Sequence, residues 1–128
     1  MSSILLCDDE VMLSRVLIVA LNNAGHTVRY VRCGHDAIAA ATAQRFELAL
    51  IDLGLPDIPG LAVLQAVRAL PDPPEVLVMT GLPSFNSTLA ALDLGAHDCL
   101  NKPFSLADLR SKVAQVLSRR AAAEQGGS

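Results

Sequence analysis

Five short apolar runs recur along the chain, each followed by a longer stretch of helical character, and this alternation restricts the fold more than any other feature. The runs are Ile4 to Cys7, Thr27 to Val31, Leu48 to Ile51, Val76 to Met79 and Asp98 to Leu100. Three of them are almost continuously apolar, the pattern of strands covered on both faces in a parallel sheet. The first intervening helix is predicted over Glu10 to Asn23 and stops at Gly25, a residue suited to a C-terminal cap. Asp36 to Gln44 is Ala-rich and favours helix intrinsically. Leu61 to Leu70 lies between Gly60 and the breaker Pro71-Asp72-Pro73-Pro74, and Ser87 to Leu94 ends at Gly95. In the last helix Ser105 is placed to cap, with Asp108 three residues on, and Leu106, Leu109, Val113, Val116 and Leu117 follow at helical spacing. The apolar stripe fades from Arg119, so residues 1–120 are expected to form one domain and 121–128 a fraying tail or linker. Five strands and five helices in strict alternation imply a doubly wound five-stranded parallel sheet with right-handed crossovers.

Composition narrows the class. A chain of 128 residues is the length of one domain. Its apolar share of 52% is enough for a core, and 3% aromatics means that Leu, Val, Ile and Ala must fill it. The formal net charge is −3 and the basic residues are scattered, which argues against this chain itself gripping nucleic acid. No apolar run reaches the roughly 20 residues that span a bilayer, and Met1-Ser2-Ser3 is unlike a secretory signal. Cys7, Cys33 and Cys99 are odd in number and far apart, as expected of reduced thiols in a cytoplasmic protein.

In open parallel sheets ligands bind beyond the carboxyl ends of the strands. The first run is followed by Asp8-Asp9-Glu10, the third by Asp52, the fourth by Thr80-Gly81 and the fifth by Asn101-Lys102-Pro103-Phe104. The second run leads into Arg32, Cys33 and Gly34, which offer no such chemistry. Carboxylates brought together repel, so the set calls for a cation. Mg²⁺ fits, because it takes oxygen ligands from one or two carboxylates and completes its shell with water and substrate phosphate. Beside it one carboxylate can act as nucleophile toward a phosphoryl donor, while the Lys102 ammonium and the Thr80 hydroxyl bind the remaining phosphoryl oxygens.

Together these segments resemble the receiver domain of bacterial two-component response regulators, over about residues 3 to 118. Leu5 to Glu10 is similar to the family's acidic start, Asp52 to Gly60 to its phosphorylation loop, Met79-Thr80-Gly81 to its switch-hydroxyl segment, and Leu94 to Asp98 with Asn101 to Phe104 to its lysine segment. The resemblance implies a flavodoxin-like sheet in strand order 2-1-3-4-5 and Asp52 as the phosphoacceptor. It implies Mg²⁺ or Mn²⁺ held directly by Asp9 and Asp52, by Asp8 through water, and by the backbone carbonyl of Gly54. It also implies a cis Lys102-Pro103 bond, Lys102 and Thr80 as phosphoryl-binding groups, and a sensor histidine kinase or phosphotransfer protein as donor. Output would pass through the surface of the fourth helix, fifth strand and fifth helix, where a homodimer could also form, and a DNA-binding output domain could lie downstream.

The chain departs from the family's pattern at Cys99, where an aromatic ring is usual, and at Gly54 and Leu82, which carry no polar side chain to guide an attacking water. The first predicts switching without a swinging ring, the second a long-lived phosphoryl group. A phosphohydrolase of haloacid dehalogenase type shares the strand-end Asp but wants a second acid two residues on, where Gly54 stands. A nucleotide carrier would want a Gly- or Ser-rich loop in place of Asp8-Asp9-Glu10. A degenerate receiver acting only as an interaction module would lack an acid, the hydroxyl or the lysine. His26, His35 and His97 are expected to be surface or loop residues without paired acids, Cys7 an inert buried thiol, and Arg119 and Arg120 a helix end complementing the dipole.

Overall fold

The computed structural model describes residues 2–82 and 84–126; Met1, Pro83, Gly127 and Ser128 of the segments discussed above lie outside the described residues. Five strands, β1 (Ser3–Cys7), β2 (Thr27–Val31), β3 (Leu48–Asp52), β4 (Glu75–Thr80) and β5 (Asp98–Asn101), alternate with α1 (Val11–Asn23), α2 (Gly34–Ala43), α3 (Gly60–Arg68), α4 (Phe85–Asp93) and α5 (Leu106–Gly126). The sheet order is β2-β1-β3-β4-β5 and every pairing is parallel. This is the doubly wound five-stranded sheet expected, with β1 and β3 adjacent where the winding reverses.

Strand residues alternate between two apolar layers because successive side chains point to opposite faces. Leu5, Cys7, Ala49, Ile51, Val76 and Val78 pack against α2 and α3. Ile4, Leu6, Leu48, Leu50, Leu77 and Met79 pack against α1 and α5. Each of these strand residues is fully buried, and a leucine so placed contributes about 1.5–3 kcal/mol by leaving water. The edge strand β2 is only partly covered, which is why its sequence alone among the first four runs is mixed.

Helix ends follow local chemistry. Gly25 and Gly95 close α1 and α4 at φ +94 and +103, and the next residue donates back across the turn, His26 N to Leu21 O at 3.1 Å and Ala96 N to Ala91 O at 2.9 Å. A side chain at either position would be strained. Ser84 and Ser87 form a reciprocal capping box at the start of α4, earlier than the expected start at Ser87. Ser105 caps α5 as predicted, accepting from Asp108 N at 3.0 Å.

The C-terminal end of α5 differs from the reading of the sequence. The helix continues through Arg119 to Gly126. Arg120 does not serve an exposed dipole: it is buried, donates to Pro73 O at 3.0 Å, and lies near Asp72, Glu75 and Glu124. The apolar stripe ends there because a guanidinium on a long stem covers the turn below it. Among the described residues no helix is long and apolar enough to cross a membrane.

Candidate functional site

Strand register builds the site. Cys7 is paired with Ile51, Asp52 with Met79, and Thr80 with Asn101, so Asp8, Asp52, Thr80 and Lys102 emerge side by side at one end of the sheet. Asp8 and Asp52 are buried, as is Thr80. The ammonium of Lys102 sits among the acids, 2.9 Å from Asp8 Oδ2, 3.0 Å from Asp52 Oδ2 and 3.1 Å from Glu10 Oε1. The second oxygen of each buried acid faces backbone: Asp8 Oδ1 accepts from Glu10 N at 2.8 Å, and Asp52 Oδ1 from Gly54 N at 2.9 Å. The Thr80 hydroxyl accepts from Leu82 N at 3.2 Å, tying it to the turn that follows. The peptide bond between Lys102 and Pro103 is cis, and Lys102 N donates to Thr80 O at 2.7 Å.

These contacts tilt the local chemistry. Burial pushes the Asp8 carboxyl above its ordinary range, and the bonds from Lys102 and from Glu10 N oppose that without overcoming it. Burial alone would push Lys102 down, but its bonds to Asp8, Asp52 and Glu10 prevail and hold it above the ordinary lysine value. Lys102 is therefore a fixed cation among the acids. Over the cluster opens a cleft of about 360 Å³ whose walls include Asp9, Glu10, Asp52, Gly54, Thr80 and Lys102.

Ligand oxygens of Asp8, Glu10 and Asp52 lie within 4.8 Å of one another. One lysine charge against three carboxylates leaves the group electron-rich, and an all-oxygen donor set suits a hard divalent cation. The acids present thus fit a metal of the Mg²⁺ type. Glu10 joins this group although it was not among the expected ligands, while Asp9 is an exposed residue on the cleft wall.

The family comparison agrees with this geometry: residues 4–114 match the response regulator receiver domain. The chain belongs to that family. It is 39% identical over 119 residues to the swarming motility regulation protein RssB of Serratia marcescens, covering 93% of this chain and 54% of that protein. It is 34% identical over 116 residues to the transcriptional regulatory protein BasR of Escherichia coli, covering 91% and 52%. The chain thus spans about half the length of these curated relatives. Among solved structures, a CheY-like response regulator receiver domain protein from Methanospirillum hungatei superposes with TM-score 0.90 at 26% identity, covering 95% of this chain and 98% of the other. A two-component response regulator from Clostridium difficile gives 0.88 at 25% identity, covering 93% and 98%.

Two side chains of this receiver domain, Tyr30 and Asp57, support the site in ways the sequence reading passed over. The Tyr30 hydroxyl on β2 donates to Asp8 O at 2.8 Å; the chain's single tyrosine, on a strand next to the acidic segment's own, is the signal that could have found it. Asp57 accepts from Gly34 N and His35 N, both at 2.8 Å, and lies 2.9 Å from His35 Nδ1. The end of β2 is therefore part of the surroundings, and His35 does have a paired acid. His97 stands 3.3 Å from Arg119. Cys7 is fully buried as expected, and burial, with Cys33 and acidic neighbours, pushes its thiol up to about 12. Cys99 is half-buried against the α3 side of the core.

Proposed function

We propose that Asp52 is the phosphoacceptor of this receiver domain, that Asp8, Asp9, Glu10, Asp52 and the Gly54 carbonyl provide the surroundings of a Mg²⁺ or Mn²⁺ ion, and that Lys102 and Thr80 bind the phosphoryl oxygens. The observation that carries this reading is the convergence of Asp8, Glu10 and Asp52 on a single partly buried lysine at the mouth of the cleft. When bound, the metal would supply positive charge to offset the negative charge on the transferring group.

The chain's own residues do the rest. An Asp52 carboxylate oxygen forms the bond to phosphorus as the bond from phosphorus to the donor nitrogen breaks, and the nitrogen leaves with the electron pair. Transfer requires Lys102 to leave Asp52 Oδ2 for a phosphoryl oxygen, a short movement for an ammonium on a flexible stem. A new bond from the Thr80 hydroxyl to the phosphoryl group competes with its role in the turn, and through Leu82 N the pull reaches the backbone before α4. Burial raises the Cys99 thiol while the neighbouring Thr88 on α4 opposes the rise. Cys99 is thus held as a small apolar filler next to α4, which supports a switch by backbone movement without a ring. The exposed Leu82, Leu89 and Leu92 border that region and support an output or dimer surface there.

On this reading the donor is a histidine kinase or phosphotransfer protein, no separate substrate is turned over, and any DNA binding belongs to sequence outside this chain. Gly54 and Leu82 leave the phosphoryl group without a side chain to orient water, so it should persist. In the test, the chain is incubated with phosphoramidate and Mg²⁺ and followed by intact mass. A gain of one phosphoryl group that vanishes with EDTA and in Asp52→Asn is expected. Uptake by Asp52→Asn would overturn the assignment.

A further inference from the structure

The loop from Leu53 to Pro59 joins the acceptor strand to α3 and crosses the start of α2 on its way. The residue at the N-cap of α2, Cys33, makes no side-chain cap bond. Two free amides of that helix's first turn are instead taken by Asp57, which reaches across 23 residues of sequence to Gly34 N with one oxygen and across 22 to His35 N with the other. These backbone donors, His35 first, hold the Asp57 carboxyl well below the usual carboxylate range.

The steric fit around this bond is close on both sides. A Cβ at Gly34 would stand 2.5 Å from Ile58 Cγ1 and 2.8 Å from Val63 Cγ2, so the loop residue after Asp57 rests directly on the first residue of α2. At the far end of the loop, a Cβ at Gly60 would stand 2.4 Å from Asp52 O and from Leu53 Cα, and Gly60 N donates to Leu53 O at 3.2 Å. The loop is thus closed at its base against the backbone of Asp52 and held at its middle by α2. Its near end carries Gly54, whose amide orients Asp52 Oδ1.

We infer that Asp57 is a positioning residue for the acceptor: by clamping the loop to the first turn of α2 it sets where Gly54 and the Asp52 carboxylate stand. Asp57 itself touches neither metal nor phosphoryl group. The inference rests on the reading of Asp52 as acceptor beside a divalent metal, and it adds α2 to the elements that determine how well that site is formed.

The test uses the full chain as wild type, Asp57→Ala, Asp57→Asn and Gly34→Ala. Each is titrated with Mg²⁺ alone while the Gly54 amide resonance is followed, loaded with phosphoramidate and read by intact mass, and melted in EDTA. Asp57→Ala should weaken Mg²⁺ binding roughly tenfold, the low end of what supporting partners of metal ligands contribute, slow loading in parallel, and shift the Gly54 amide before any metal is added. Asp57→Asn keeps one neutral acceptor and should fall between, and it decides the matter by the same readouts if Asp57→Ala does not fold. Gly34→Ala, which displaces Ile58 without changing charge, should reproduce the loss. A lowered melting temperature with wild-type Mg²⁺ affinity, loading and Gly54 resonance would reduce Asp57 to a helix cap and overturn the inference. If the wild type neither binds Mg²⁺ nor loads, the acceptor reading fails instead, and the Gly54 resonance in EDTA still reports whether Asp57 sets the loop.

Discussion

The two ends of the sheet each hold a network of charged side chains, and they are balanced differently. At the carboxyl end, Asp8, Glu10 and Asp52 share the single ammonium of Lys102, with Asp9 on the wall of the same cleft. At the amino end, Arg45 pairs with Asp72 and, at 3.1 Å, with Glu124, while Arg120 lies 3.6, 3.7 and 3.3 Å from Asp72, Glu75 and Glu124. Two guanidiniums face three carboxylates, most of them half-exposed and open to water, although Arg120 Nε is buried without a hydrogen-bond partner. Four carboxylates around one lysine, two of them buried, leave a larger excess of negative charge. Even the strained point of the second network is locally satisfied: Asp72 takes a left-handed φ of +52, which aspartate tolerates better than most residues, with both arginines beside its carboxylate. The contrast teaches that the amino end largely balances its own charges, whereas the carboxyl end is left with more carboxylate than its one lysine offsets, as the proposed cation and phosphoryl group would require.

The sharpest way to break this comparison is Lys102→Met. Without metal it leaves Asp8 and Asp52 buried beside each other, and breaking a buried pair costs about 3 kcal/mol or more. Urea unfolding in EDTA should show that loss, and Mg²⁺ should recover part of it by binding only the folded chain. A variant as stable as wild type in EDTA would mean that the cluster is not short of positive charge. Arg120→Ala should have a smaller effect, about 1–2 kcal/mol, from the lost bond to Pro73 O and the uncovered turn. The loss should be the same with and without Mg²⁺; dependence on Mg²⁺ would show that the two ends are coupled after all.

The smallest effect concerns acid. The Asp57 carboxyl lies below its ordinary value of 3.8 in the folded chain, so its contribution is fully present above that pH and is lost as pH falls toward the folded value. The stability gap between wild type and Asp57→Asn should therefore be constant near neutrality and close below about pH 4. A gap that widened on acidification would have the wrong sign for this account.

How far the site was legible depends on the length of the connection involved. The acids of Asp8-Asp9-Glu10, Asp52, Thr80 and Lys102 were visible because each directly follows an apolar run, and a run's end needs no knowledge of the rest of the chain. Glu10 was visible as an acid but not as a member of the inner group, since the first turn of α1 decides whether its side chain or that of Asp9 turns toward Lys102. The partners of Tyr30 and Asp57 were not legible because each bonds to backbone on another element, and backbone carbonyls and amides carry no sequence signature. Arg120 read as an exposed helix end because periodicity registers which residues are apolar, not how far a long polar side chain folds back over a turn.

The sequence by itself determined the order of strands and helices, the two apolar layers and which side chains leave each strand at the site, all consequences of local periodicity, capping and turn chemistry. The tertiary structure decided what those side chains do to one another. Lys102 meets Asp8 across 94 residues and Asp52 across 50, and Arg120 meets Pro73 across 47. Distances of that kind arise from parallel strand register and helix docking, which fix relative positions only once the whole sheet has closed around its core.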